Sequence, residues 1–302
     1  PRQGPSAQSP QSPIQKKFKL DKIKNVIAVA SGKGGVGKST VAANIALALK
    51  EKEFTVGLLD CDIYGPSLPI ILGFNESPKM TQDRKIIPFD QYGLKVMSFG
   101  FISGNETPVI WRGPMVSRMT EQFFNDVTWG KLDFLILDLP PGTGDIHLTL
   151  TQKLRMAGAV IVTTPQDIAL ADVRKGADMF RKVHTPILGV IENMSGLQLK
   201  GTVETADGIA QKDLRMVFQG IDKEVTTDEK GNFSFLVDLF KSGGGAEESE
   251  RLGVPLLGKI PISMDIMSAT DGGKPIILSD PQSTVSEIFR DIAVNILSQL
   301  AN

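Results

Sequence analysis

Cysteine is nearly absent from this chain: Cys61 is the only one in 302 residues. A single thiol excludes an intrachain disulfide and fits a reducing, cytoplasmic setting. Histidine is almost as scarce. His147 and His184 are the only imidazoles, and neither stands at metal-ligand spacing from a cysteine. Neither sign of charge dominates. The formal net charge of −1 argues against a nucleic-acid footprint. No apolar run approaches the roughly 18 residues that span a bilayer, so no membrane partner is expected. The chain opens on Pro1 rather than Met, which reads as a fragment or a processed product. Residues 1–16 are rich in Pro, Gln and Ser and lack the apolar stretch of a signal peptide. Residues 1–21 therefore read as a disordered tail or linker.

What remains is an ordinary globular composition, 41% hydrophobic and 22% charged. Short apolar runs at Val26–Ala30, Phe54–Leu59, Leu132–Leu139, Ala159–Thr164, Ile187–Ile191 and Leu256–Ile260 read as strands. Between them lie helical patterns at 39–52, 114–127, 145–156, 167–182 and 245–252, with Asp145 and Asp167 as expected N-caps. This alternation predicts an α/β domain over 22–302. Its sheet is doubly wound and mostly parallel, with helices on both faces. A last helix, 284–300, carries Val285, Ile288, Phe289, Ile292, Ile296 and Leu300 on one stripe. With few basic residues opposite, that stripe reads as packed on the sheet rather than laid on a membrane. Residues 196–243 break the alternation and read as one or two β-hairpins inserted into the core. There Phe218, Phe233 and Phe235 are either a partner face or, by their alternation, the buried side of a hairpin.

Gly32, Lys33, Gly34, Gly35, Val36, Gly37, Lys38, Ser39 and Thr40 follow the first strand and lead into the first helix. Strand, glycine loop and helix are the context of a phosphate-binding loop. The glycines let backbone N–H groups turn inward, and the helix N-terminus adds donors and partial positive charge. Lys38 is placed to reach the β/γ-phosphates and Ser39 to sit on Mg²⁺. Gly32, Gly34 and Gly37 also spell a dinucleotide fingerprint, with Asp60 or Asp62 as a loose ribose acid. That reading leaves Lys38 and Ser39 unexplained. Its test is titration with NAD against a nucleoside triphosphate.

Two acidic segments end later strands. Leu58-Leu59-Asp60-Cys61-Asp62 runs into a loop, and Leu135-Ile136-Leu137-Asp138 runs into Leu139–Asp145. Strand-end carboxylates suit Mg²⁺ and an attacking water. Asp138 fits the Walker-B role, and Asp62 is placed to orient or deprotonate the water. Capping of helices or solvation of loops is the plainer reading of any one of them.

Lys33, a second lysine inside the loop, taken with Asp60–Asp62 and Asp138–Asp145, resembles the deviant-Walker ATPases of the MinD/ParA type. Ser31–Thr40, Asp62-Ile63-Tyr64-Gly65-Pro66-Ser67, Arg112-Gly113-Pro114, Leu139–Asp145, Thr164-Pro165-Gln166 and Glu192-Asn193-Met194-Ser195 further resemble the Mrp subfamily of iron–sulfur cluster carriers. The resemblance runs from about Lys22 to Leu300, apart from the insert. It implies a Mg²⁺-dependent ATPase working as a homodimer, with clients or iron–sulfur assembly proteins as partners. Lys33 would reach the partner subunit's nucleotide, and Asn193 would contact adenine. The family also usually carries a C-x-x-C soon after Asn-Met-Ser, and two subunits then give one cluster four thiolates. This chain has none there, so no iron–sulfur ligand is identified. Three alternatives follow: the insert serves as a docking surface, the ligands come from elsewhere, or the function persists without a cluster on this subunit. A nucleotide-switched adaptor docking through 196–243 is the reading that competes with a self-sufficient carrier.

Overall fold

The computed structural model describes residues 20–301 except 63, 64, 75, 104–117, 119, 120, 122, 143, 222, 241 and 242. The Arg112-Gly113-Pro114 motif, the Ile63-Tyr64 pair, Thr143, most of the 1–21 tail and much of the expected 114–127 helix lie outside the described residues.

Near-continuous Val, Ile, Leu and Ala runs make the central strands, as expected for strands covered on both faces. These are β1 (Ile23–Ser31), β2 (Val56–Asp60), β5 (Leu132–Asp138) and β6 (Gly158–Thr163). Side chains alternate across the sheet. Ile27 and Val29 join one core with α1 (Lys38–Glu51) and α9 (Thr284–Ala301). Ala28 and Ala30 join the opposite core, with Phe99, Phe123, Leu150 and Phe180. With β3 (Phe89–Gln91), β4 (Leu94–Ser98), β7 (Ile187–Thr202) and β10 (Asn232–Val237), the order is β10-β7-β6-β1-β5-β2-β4-β3, and β11 (Leu256–Ile262) also pairs β7. Pairing is parallel except at the margins, where β3 (Phe89–Gln91) and β10 (Asn232–Val237) run antiparallel to their neighbours. The α/β, mostly parallel expectation holds.

Several elements differ from expectation. β4 (Leu94–Ser98) was not legible, because Lys95 interrupts a short apolar run; it pairs parallel with β2 and leads into the short α3 (Gly100–Ser103). β7 does not stop at Ile191 but runs as one strand from Ile187 to Thr202. Its inner half pairs β6 and β11, and its outer half pairs β10. The 196–243 region is thus built on a core strand, with β8 (Arg215–Phe218) and β9 (Lys223–Thr226) as a separate antiparallel pair. Phe218, Phe233 and Phe235 pack on one another, with ring centroids 4.7–6.2 Å apart. Gly144 and Gln166 take the capping positions, so Asp145 and Asp167 instead begin α4 (Asp145–Lys153) and α5 (Asp167–Lys182). α6 (Gly244–Leu252) follows the glycine run. The stripe on α9 is buried through Val285, Phe289, Ile292 and Ile296, and Gly258 on β11 leaves room for Ile292. The sheet, not a bilayer, covers that face. No helix among the described residues is long and apolar enough to cross a membrane.

Candidate functional site

The carboxyl ends of β1, β2 and β5 lie side by side. Asp60 stands in register with Asp138, and Asp138 with Val29. The glycine loop rises from β1 just above them. Gly35 and Gly37 take φ of 78° and 77°, a backbone region open mainly to glycine. Gly37 is constrained twice, because a Cβ there would collide with the Asn193 amide. That amide, on β7, donates from Nδ2 to the Val36 carbonyl at 2.7 Å. Asn193, which lies within β7 rather than past a strand end, is therefore fastened to the phosphate loop.

Lys38 is 7% exposed and its ammonium is ion-paired with Oδ1 of fully buried Asp138. Burial pushes the Asp138 carboxyl up, and Lys38 and Ser39 oppose that shift. Its second oxygen, Oδ2, is buried without a hydrogen-bond partner among the described residues. A buried acceptor left open costs about 1–3 kcal/mol unless a partner arrives.

Asp62 lines the same cleft as the loop, a space of about 370 Å³ bounded also by Ser67, Ile70, Ile71, Pro141 and Thr270. Its backbone N–H donates to Asp60 Oδ1 at 2.9 Å, and its Oδ1 accepts from Gly65 N–H at 3.3 Å. Asp60 is an anchor that sequence reading missed. Fully buried, it also accepts from Leu68 N–H at 3.4 Å and from Ser98 Oγ at 3.3 Å. Burial and the nearby Asp138 charge raise its carboxyl to about 7. The signal for it was its place as the last residue of the apolar run of β2, where the side chain is buried.

Lys33 donates from Nζ to Gln166 Oε1 at 3.0 Å, in the loop after β6. The site thus gathers Lys33, Lys38, Ser39, Asp62, Asp138 and Asn193 on one edge of the sheet. A second hollow of about 370 Å³ adjoins it through Gly37, Thr40 and Thr270; Met194, Pro261, Ile262, Met267 and Phe289 line it beside Asn193. Its apolar walls suit a flat ring held next to the phosphate cleft. Pro261, near the carboxyl end of β11, was the readable signal for this wall.

His147 sits in the first turn of α4, 1% exposed, with neither ring nitrogen hydrogen-bonded among the described residues. Burial, aided by the Lys38 charge, lowers its pKa from 6.5 to about 4. The unfolded chain therefore takes up a proton near pH 6.5 that the folded chain refuses until about pH 4. Stability from this group is complete above pH 6.5 and is lost as pH falls toward 4. The loss amounts to about 2 kcal/mol between pH 7 and 5. In urea titrations His147→Gln should flatten that acid-side slope by this amount. An unchanged slope would show that the imidazole is not buried as a neutral group.

A mostly parallel sheet with the phosphate loop after its central strand and a lysine inside that loop is the build of the MinD/ParA class of P-loop NTPases. Solved structures agree. A nucleotide-binding protein from Archaeoglobus fulgidus in complex with ADP superposes with a TM-score of 0.66 at 32% identity, covering 89% of this chain and 93% of that one. The cell-division ATPase MinD of Pyrococcus furiosus gives 0.60 at 20% identity, over 91% and 98%, and supports the fold alone. The ParA family model, described as NUBPL iron-transfer P-loop NTPase, matches residues 22–227 and 225–297. An iron–sulfur cluster carrier protein of Aquifex aeolicus is 44% identical over 96% of this chain and 71% of its own length. An iron–sulfur protein required for mitochondrial NADH dehydrogenase in Arabidopsis thaliana is 42% identical over 94% and 81%. The chain belongs to this family of iron–sulfur cluster carrier P-loop NTPases.

Proposed function

We propose that the chain is a Mg²⁺-dependent ATPase, acting as a homodimer, whose nucleotide cycle drives handover of an iron–sulfur cluster or of a client protein. The observation that carries this reading is Asp138: buried at the end of β5, ion-paired through one oxygen to Lys38 of the glycine loop, with the other oxygen left without a hydrogen-bond partner among the described residues. Ser39, Asp62 and Asp138 are the donors that would hold Mg²⁺, a hard cation suited to one or two carboxylates plus phosphate oxygens. When bound, the ion neutralises charge between the β- and γ-phosphates. The chain's own groups do the rest. Backbone N–H groups from Gly32 to Thr40 cradle the phosphates. Lys38 turns from Asp138 toward the β/γ oxygens. Asp62, fixed by Asp60, orients the attacking water and accepts its proton. Lys33 leaves Gln166 to stabilise charge across the dimer interface, and Asn193 reads the base from the adjoining apolar hollow.

The cluster side of the function has a different standing in chemistry. Cys61 is completely buried in the nucleotide half, where burial and the nearby carboxylates raise its thiol pKa. No group of three or more His, Cys, Asp or Glu among the described residues is arranged to hold a metal. Where the family carries its C-x-x-C, this chain continues β7 as Gly196–Thr202 and pairs it with β10. These observations favour a second reading, in which the ATPase is an adaptor and residues 196–243 dock the protein that owns the cluster ligands. Anaerobic reconstitution with iron and sulfide, with iron counting and steady-state ATP hydrolysis on the same sample, separates the two. The adaptor reading expects Mg²⁺-dependent hydrolysis and no stoichiometric iron. A stable cluster on the chain alone would overturn it, and absence of both nucleotide binding and hydrolysis would overturn the ATPase.

A further inference from the structure

The phosphate cleft and the apolar hollow are walled by different elements. α2 (Leu68–Ile71) gives the cleft its Ile70 and Ile71. α7 (Met264–Asp271) gives the hollow its Ile266, Met267 and Asp271, with Thr270 shared by both. Just beyond these helices, Gly73 and Gly273 meet backbone to backbone. A Cβ on Gly73 would lie 2.7 Å from the Gly273 carbonyl oxygen, and one on Gly273 would collide with the Gly73 Cα. Both take left-handed φ, 69° and 66°. Contact without intervening side chains has no rotamers to absorb a displacement, so a shift of one helix is passed to the other.

A third element braces the contact. β3 and β4 are joined by the two-residue turn Tyr92-Gly93, with φ of 53° and 75°, the mirror-type turn that fixes a hairpin tightly. Gln91 Nε2 donates to the Leu72 carbonyl at 2.6 Å, beside Gly73. Tyr92 Oη donates to the Gly273 carbonyl at 3.0 Å. Adjacent residues of one rigid turn thus hold the two glycine junctions. Phe74 packs on Phe89 of β3 and on Phe101, at centroid distances of 4.9 and 5.7 Å. Beyond Gly273, α8 (Ile276–Ser279) is tied to the phosphate-loop helix, because the Ile277 N–H donates to Asn44 Oδ1 at 3.3 Å.

We infer that Gln91, Tyr92, Gly73 and Gly273 are positioning residues that make the phosphate-side and base-side rims one body, so that seating the base sets the Asp62 loop. This rests on the nucleotide reading above. The experiment is amide hydrogen exchange with and without saturating ADP, together with ATPase kinetics, on wild type, Gly273→Ala, Tyr92→Phe and Gln91→Ala. In the wild type, ADP slows exchange in 65–74 and in 264–273 together. In Gly273→Ala it slows only 264–273. Because small displacements of reacting groups are strongly felt, kcat falls about 10-fold while KM stays within about 2-fold. Tyr92→Phe and Gln91→Ala move the same way by less, and they carry the test if Gly273→Ala does not fold. Equal protection of both segments in every variant, or a raised KM with unchanged kcat, overturns the brace. A wild type protected by ADP in neither segment overturns the nucleotide reading itself, and the brace with it.

Discussion

Lys38→Ala is expected to abolish ATP hydrolysis and to weaken the nucleotide-free protein at the same time. Removing a positioned charge from a phosphoryl-transfer site lowers kcat by about 100-fold or more. The second effect comes from the ion pair. Lys38 and Asp138 are both buried, and cutting one partner from a buried pair costs about 3–5 kcal/mol. Part of that is recovered because Asp138, already pushed up by burial, takes a proton once the lysine is gone. Stability of the variant should therefore improve as pH is lowered through the raised Asp138 pKa. Lys38→Ala combined with Asp138→Asn removes the stranded charge and should restore folding stability without restoring turnover. Urea unfolding of both proteins at pH 5 and 8, beside a hydrolysis assay, checks this. Full hydrolysis by Lys38→Ala would sink its assigned role, and a double variant no more stable than the single one would refute the stranded-charge account.

Asp62→Ala should separate turnover from binding. The side chain lines the phosphate cleft but is not part of the Lys38–Asp138 pair. Losing a group that orients the water and accepts its proton lowers kcat by about 10²–10⁴-fold. Affinity for ADP, carried by the glycine loop and the apolar hollow, should change little. A conservative Asp62→Asn variant keeps an acceptor for the Gly65 N–H and still loses the base, so it should match alanine in kcat. If both variants hydrolyse ATP at the wild-type rate, the water-activating role of Asp62 fails. Asp60→Asn is the instructive contrast. It disturbs the contacts to Asp62, Leu68 and Ser98 together.

The phosphate loop was legible in the sequence because its information is local: glycines, lysine and hydroxyls within ten residues, between a strand and a helix. Asp138 was legible for the same reason, as the acid that closes an apolar run. What escaped was carried by distant partners. Asp60 looks from sequence like a twin of Asp62, yet its two oxygens are occupied by the backbone and by Ser98 from another strand. β4 is a weak strand in isolation and gains its place from β2 and β3. The end of β7 could not be read at Ile191, because the strand continues only where β10 returns to pair with it. The apolar hollow draws on β7, β11, α7 and α9, and no window of sequence contains it.

The outer segment 203–231 is bounded by two residues that stand side by side. Thr202 and Asn232 face each other across the β7–β10 pair, and Thr202 Oγ1 donates to Asn232 Oδ1 at 2.9 Å. Everything between them leaves and re-enters the molecule through one pair of opposed residues. A two-residue turn such as Asn-Gly can bridge such a pair, and lengthening a surface loop adds only slowly to the entropy of closure. Replacing 203–231 by such a turn should therefore leave the strand that carries Asn193 paired with its neighbours, so the appendage and the phosphate site can be altered separately.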